Sequence, residues 1–331
     1  MRKVAIITGA LGFIGSHTAK AFKQAGYYVV GIDNAKEFKL PEAFYYLDTY
    51  LKDDFVNLTA HTAKDLDAEV IVHIAATSLV GPSIANPGLY YDNNVAKTNK
   101  MLCDLHNIGW HGKIIFSSSA SVYGNNSNKY DQPLLETDEK SPISPYGRSK
   151  LICEQVIEDH CKAFGFKGIA LRYFNASGCD VDEKLGNAQY DTHLIPRIIE
   201  SILSHKQFVL NGNDFATPDG TCLRDYLHVN DIANAHLLAV KLADYLNPNT
   251  FDVFNLGTGT GYTNMQIIKE CERVLEKHLD IVVGPRLIGD PDARVANPNK
   301  FTAAADWNPK HSKLDSIILT THNWMKKFNY N

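Results

Sequence analysis

Tyr146 and Lys150 stand four residues apart, directly behind Ser144-Pro145. Proline suits the first turn of a helix, so this spacing predicts a helix start with both side chains on one face. A phenol titrates near pH ~10 in water and is a poor base at neutrality. An ammonium held beside it stabilises the phenolate and brings its pKa toward the working range. Upstream, an apolar run ends in Ser117-Ser118-Ser119-Ala120-Ser121-Val122-Tyr123-Gly124. Hydroxyls there can orient a substrate alcohol and share its proton with a tyrosine. Taken singly, these are a packed tyrosine with a solvated lysine, and a loop start. Taken together they predict Tyr146 as the proton carrier, Ser119 as the orienting hydroxyl and Lys150 as the tuning cation.

A binding site for a hydride carrier is written at the N-terminus. Gly9-Ala10-Leu11-Gly12-Phe13-Ile14-Gly15 follows an apolar run and opens an amphipathic segment. Glycines so placed allow a tight turn, close approach to a pyrophosphate and tight packing of helix on strand. The helix then turns its N-terminal amides and positive dipole end to the phosphates. A second apolar run ends at Asp33, where a carboxylate accepts from the adenosine ribose hydroxyls and repels a 2′-phosphate. The expected cofactor is therefore NAD, although Lys36 stands close by. The positive nicotinamide would add to Lys150 in lowering the pKa of Tyr146, and Lys150 can also hold its ribose.

These groups need a frame. Runs at Val4–Thr8, Tyr28–Asp33, Val70–Ala75, Lys113–Ser117 and Gly168–Tyr173 read as buried strands, with Tyr45–Leu47 as a short extra one. Helical periodicity lies between them near 13–25, 59–67, 84–107 and 145–164. That alternation predicts an α/β fold, a Rossmann-type doubly wound parallel sheet whose strand ends face the ligand. Beyond about 176 come loops over 178–192, 211–221 and 284–299, with helices near 193–204, 230–245, 263–278 and 312–327. The expected division is an NAD-binding domain over 1–176, with about 229–258 packing back onto it, and a smaller α/β substrate lobe over 177–331. A formal charge of -4 argues against nucleic acid or an anionic membrane as partner. The six cysteines form no Cys-x-x-Cys pair and the 13 histidines no His-Glu-x-x-His, so no metal site is expected and the thiols read as reduced. With no ~20-residue apolar span either, the expected location is the cytoplasm.

In this order the motifs resemble the extended short-chain dehydrogenase/reductase superfamily, and more narrowly the UDP-glucose (UDP-galactose) 4-epimerases. The likeness runs almost end to end, through Thr8–His17, Asp33-Asn34, His73–Ser83, Tyr90–Val95, Ser117–Gly124, Pro145–Lys150, Leu171–Gly178, Gly212–Val229 and Phe254–Gly259. The Gly212–Val229 block is the most specific to the epimerases. The resemblance implies that NAD takes a hydride from C4 of a UDP-sugar while Tyr146 takes the 4-hydroxyl proton. The 4-keto sugar then turns and is reduced from its other face.

It further implies cofactor contacts from Gly9, Gly12, Phe13, Ile14, Gly15, Asp33, Asn34, Asp48, Asn94, Ser117, Tyr146, Lys150 and Tyr173. Asp48 would accept from the adenine amino group. Substrate contacts fall on Ser119, Asn175, Leu194, Arg224, Tyr226, Asp290 and Arg294, with Arg224 on the diphosphate and Asp290 on the uridine ribose. Three positions depart from the family: Ser78 for a common lysine, Leu287 for a second diphosphate arginine, and Arg294 where tolerance for an N-acetyl group is set. A 4-epimerase of UDP-GlcNAc or of a UDP-uronic acid thus stays open. A dehydratase would need an acid-base carboxyl pair after Ser119, where Ala120-Ser121 stands, and a non-catalytic NAD sensor would lack the Tyr/Lys pair. A homodimer through the helices near 84–107 and 145–164 is also implied.

Overall fold

The computed structural model describes residues 2–35, 40–124, 132–187, 192–287 and 290–329, so Lys36 and parts of the loops expected over 178–192 and 284–299 lie outside the described residues. The first half runs β1 (Val4–Thr8), α1 (Phe13–Gln24), β2 (Tyr28–Ile32), β3 (Thr49–Leu51), α2 (Phe55–Asp65), β4 (Val70–His73), α3 (Val80–Ala85), α4 (Pro87–Tyr90), α5 (Lys97–Asn107), β5 (Lys113–Ser119), α6 (Pro145–Phe164) and β6 (Lys167–Tyr173). The second half adds β7 (Asn175–Ser177), α7 (Leu194–Ser204), β8 (Phe208–Asn211), β9 (Leu223–His228), α8 (Val229–Asp244), β10 (Thr250–Leu256), β11 (Gly261–Thr263), α9 (Asn264–Leu275), β12 (Ile281–Gly284), β13 (Ala293–Arg294), α10 (Asn299–Ala305) and α11 (Leu314–Asn329).

Seven strands pair in the order β10-β6-β5-β4-β1-β2-β3, every neighbour parallel. The strands are apolar on both sides because helices cover both faces. Ala19 and Phe22 of α1 and Ile232 and Ala239 of α8 fill one face. Phe55 of α2, Met101 and Leu102 of α5, and Cys153 and Ile157 of α6 fill the other. Strand order reverses between β1 and β4, and a crevice opens there beyond the carboxyl ends of the strands.

Two expectations are corrected. Pro41–Tyr46 forms a 3-10 turn and the edge strand comes later, at Thr49–Leu51, so Tyr45–Leu47 is not a strand. Pro41 sets the first φ of that turn. The helix expected over 84–107 is broken: Asn86 ends α3, and its side chain accepts from Leu89 N to start α4 behind Pro87. A π turn over Tyr91–Ala96 then leads into α5.

The remaining strands form a four-stranded sheet, with β9 flanked by β11, β13 and β7, and a parallel pair β8–β12. Helices α7, α9 and α11 pack there around Ile198, Ile267 and Ile317. No described helix is long and apolar enough to cross a membrane.

Candidate active site

Packing at α1 sets the first wall of the site. A Cβ on Gly15 would lie 1.9 Å from the Gly9 carbonyl oxygen, so only glycine lets α1 dock on the end of β1. Gly12 caps α1 without any side-chain bond, leaving the first-turn amides for a ligand. Asp33 ties the loop down: its carboxylate accepts from Leu11 N at 3.0 Å and from Ala35 N at 2.9 Å. Each oxygen keeps lone-pair capacity for a ribose hydroxyl.

The proton machinery sits across the crevice. Ser144 caps α6 by accepting from Gly147 N at 3.1 Å, and Pro145 opens the helix. A Cβ on Gly147 would come 2.5 Å from Ser121 O, so glycine brings α6 against the 3-10 turn Ala120–Tyr123. That contact sets Tyr146 beside Ser119, whose hydroxyl favours the phenolate. Ser119 Oγ also accepts from Ser121 N at 3.1 Å. Lys150 is buried one turn along α6 and donates to Ser117 O at 2.6 Å. Burial pushes its ammonium down to about 8.

Burial dominates the electrostatics at Tyr146. Burial raises the Tyr146 phenol above its ordinary pKa, with the Ser119 hydrogen bond opposing and Tyr90 adding to the effect. The Lys150 ammonium bonds a main-chain carbonyl, and its charge alone does not bring the phenol down. The positive nicotinamide expected beside Tyr146 acts in the opposite direction to burial.

One cavity of about 980 Å³ joins these parts. It is lined by Gly9, Gly12, Phe13, Ile14, Gly15, Asp33 and Asn34 at one end and by Ser117, Ser119, Tyr146, Lys150 and Tyr173 at its centre. Asn175, Leu194 and Tyr226 line it farther on, and Ser78 is also in the wall. Small-molecule sites span roughly 300–1,000 Å³, and this one stands at the top of that range. Tyr173 is fixed by donating to His236 Nε2 at 2.5 Å, since His236 Nδ1 donates to Ile232 O.

Five expected residues are not in that wall. Asp48 is bound to Lys23 and accepts from Val29 N at 2.9 Å, so it braces β2 to α1 instead of facing an adenine. Although burial opposes it, the Lys23 hydrogen bond holds the Asp48 carboxyl below its ordinary range. Asn94 spends its amide on Thr77 N, Thr77 O and Ser149 Oγ at 2.8, 3.0 and 3.0 Å; the cavity residue on that π turn is Asn93. Arg224, Asp290 and Arg294 lie just past Tyr226. Arg224 pairs with Asp290 and donates to Pro291 O at 2.7 Å. Arg294 donates to Gly124 O at 3.1 Å, and burial followed by the charge of Arg224 pushes it down to about 9. Leu287 is 57% exposed, and the neighbouring Arg286 is taken by Asp292 at 2.7 Å.

Sequence reasoning missed Glu154, four residues beyond Lys150 on the same face of α6. Its carboxylate accepts from Ser118 Oγ at 2.5 Å and from Arg172 Nε and Nη2 at 2.9 and 2.7 Å. It thereby holds the strand end that presents Ser119. The four-residue spacing Tyr146, Lys150, Glu154 was the available signal.

A model of the NAD dependent epimerase/dehydratase family matches residues 5–257. The chain is 37% identical to UDP-glucose 4-epimerase of Lactobacillus helveticus over 332 residues, 98% of this chain and 97% of that one. The crystal structure of UDP-glucose 4-epimerase from Brucella ovis in complex with NAD is similar at a TM-score of 0.89 and 35% identity, covering 97% of this chain and 98% of that one. The Bifidobacterium longum enzyme in complex with NAD+ and UDP is similar at a TM-score of 0.88 and 30% identity, covering 98% of each chain.

Proposed function

Because the chain belongs to the NAD dependent epimerase/dehydratase family, we propose that it is an NAD-dependent 4-epimerase interconverting UDP-glucose and UDP-galactose. The observation that carries this reading is that Ser119, Tyr146 and Lys150 line one continuous cavity with the glycine loop at one end and Tyr226 at the other. Bound NAD supplies an acceptor for the C4 hydrogen of the sugar and returns it. The glycine loop, the α1 amides and Asp33 fit its pyrophosphate and ribose, and Lys150 and Tyr173 fit its nicotinamide end.

Ser119 orients the 4-hydroxyl and Tyr146 removes its proton, leaving a 4-keto sugar. After the sugar turns in the cavity to present the other face of C4, Tyr146 returns the proton to O4. Tyr146 needs a cation beside it for the first step, a task Lys150 shares with the nicotinamide. Ala120 and Ser121 supply no carboxyl pair, so loss of water has no proton relay. The test is incubation with UDP-glucose, for which the expected product is UDP-galactose. Absence of product from a protein that holds NAD would refute the reading.

Asp33 is assigned to cofactor choice. Asp33→Asn keeps the shape and removes the charge. Its NAD affinity is expected to fall about tenfold, with weaker rejection of NADP, since hydrogen bonds to charged groups contribute ~1.5–3 kcal/mol. Dissociation constants for both cofactors check this, and an unchanged ratio would remove Asp33 from that role.

We also infer that residues 1–176 with about 229–258 form the cofactor-binding unit and the rest of 177–331 the sugar-nucleotide lobe. Pairing of β10 with β6 and the packing of α8 against the same sheet face as α1 support this. The chain acts as a homodimer through α5 and α6, where Leu151, Ile152 and Val156 stay part-exposed. Sedimentation at micromolar concentration should give twice the 36.8 kDa chain mass. The compartment is the cytoplasm, a reading supported by six cysteines of which none is in a disulfide.

A further inference from the structure

Arg224 and Arg294 are in register on the adjacent parallel strands β9 and β13, so their side chains leave the same face of the sheet. Tyr226, two residues along β9, is on that face too and lines the cavity. Among the described residues, two guanidinium groups therefore stand side by side with one carboxylate, Asp290, and Arg224 has it. The Nε of Arg294 is buried with no hydrogen-bond partner among the described residues, and its one described bond goes to Gly124 O. Asp290, already paired with Arg224, is the carboxylate that also acts on Arg294, so burial of this guanidinium is poorly offset and an anion brought in by a ligand is the natural further partner.

The position of Arg294 says which anion. Gly124 ends the 3-10 turn whose N-cap is Ser119. At ~2.0 Å rise per residue that turn keeps Gly124 within roughly 10 Å of Ser119. The Arg294 guanidinium is therefore held at the edge of the cavity, with its register partner Arg224 on one side and the turn that begins at Ser119 on the other. A nucleotide sugar with C4 at Ser119 and its diphosphate toward Arg224 presents the ring substituents of the hexose to Arg294. A hydroxymethyl group there would leave the cation unpaired, whereas a carboxylate accepts a guanidinium fork in two bonds.

We propose that Arg294 recognises a carboxylate on the hexose, which makes UDP-hexuronic acids substrates of this site. The proposal rests on the 4-epimerase reading above and extends its substrate class. The depressed pKa of Arg294 fits a cation awaiting its partner. The chemistry at C4 stays balanced: one hydride leaves C4 and returns to its opposite face, one proton leaves O4 and returns to O4, and the carboxylate is unchanged. A 4-keto uronic acid can lose carbon dioxide, but Ala120 and Ser121 offer no acid to protonate C5, and pairing with Arg294 retains the carboxylate.

The test compares kcat/KM for UDP-glucuronic acid and UDP-glucose in the wild type, Arg294→Gln and Arg294→Lys, with the dissociation constant of UDP alone for each. The wild type should form UDP-galacturonic acid. Arg294→Gln should lower the ratio of kcat/KM for UDP-glucuronic acid over UDP-glucose by roughly 10- to 100-fold, the size of a lost charge-assisted hydrogen bond. Arg294→Lys should recover part of that ratio. Turnover of UDP-glucose without turnover of UDP-glucuronic acid would overturn the proposal and leave the epimerase reading intact. So would release of a UDP-pentose, or an Arg294→Gln variant in which UDP binding falls and the ratio does not, which would assign Arg294 to the diphosphate. Turnover of neither sugar by the NAD-bound protein would instead sink the epimerase reading itself.

Discussion

Tyr146→Phe is expected to lower kcat roughly a thousandfold while NAD binding persists. A positioned acid or base contributes ~10²–10⁴-fold to such reactions, and Tyr146 acts in both directions of one turnover. The residues after Ser119 are Ala120 and Ser121, so no neighbouring carboxyl group can take over its proton. The substitution removes one oxygen and leaves Ser119 its bond from Ser121 N, so stability should change by no more than about 1 kcal/mol. Turnover rates with UDP-glucose and NAD fluorescence titrations read the two halves of this expectation. Activity within tenfold of the wild type would remove Tyr146 from the reaction.

A second large effect belongs to Glu154. Its side chain and that of Arg172 are 5% and 3% exposed, and Nη2 lies 2.7 Å from the carboxylate. Arg172 Nη1 donates onward to Tyr123 Oη at 2.8 Å, and Tyr123 donates to Asn255 Oδ1 at 2.6 Å. This network sits beneath the Ser119 turn. Glu154→Ala strands a buried guanidinium, which costs ~3–5 kcal/mol, and frees Ser118. Thermal or urea unfolding should show that loss, with a fall in Tm of about 10 °C. Replacing both partners, Glu154→Leu with Arg172→Met, should recover much of the stability, because no unpaired charge remains. A single variant as stable as the wild type would show that the pair does not hold the site.

The parallel sheet was legible in Val4–Thr8, Tyr28–Ile32 and Lys113–Ser117 because strands buried on both faces read as unbroken apolar runs. The strand β9 was not, since Leu223–His228 carries Arg224 and Asp225 where a core strand should be apolar. The buried Asp225 is satisfied by Thr258 N, Gly259 N and Ala296 N at 2.9, 3.0 and 3.2 Å, partners distant in sequence. Helix start signals were dependable where cap and proline coincide, as at Ser144-Pro145. They also broke the expected 84–107 helix at Asn86-Pro87, a signal present in the sequence but outweighed by periodicity.

Within the site, residues that form backbone geometry or end a strand were readable: the glycine loop, Asp33, Ser119, Tyr146 and Lys150 all line the cavity. Asp48 and Asn94 were less so because a motif position does not reveal where a side chain's hydrogen bonds go. Lys23 and Val29 claim one, and Thr77 and Ser149 the other. The raised pKa of Tyr146 was hidden for a related reason: four-residue spacing brings Lys150 to the same face, but burial and the Ser117 carbonyl decide what its charge does.

The central claim is reversible transfer of the C4 hydrogen within one site. Its most direct measurement is conversion of UDP-glucose deuterated at C4, followed by mass spectrometry and NMR of the product. The account predicts UDP-galactose that keeps its deuterium at C4, with none released to water. Loss of the label to solvent, or no UDP-galactose from the NAD-bound protein, would contradict it.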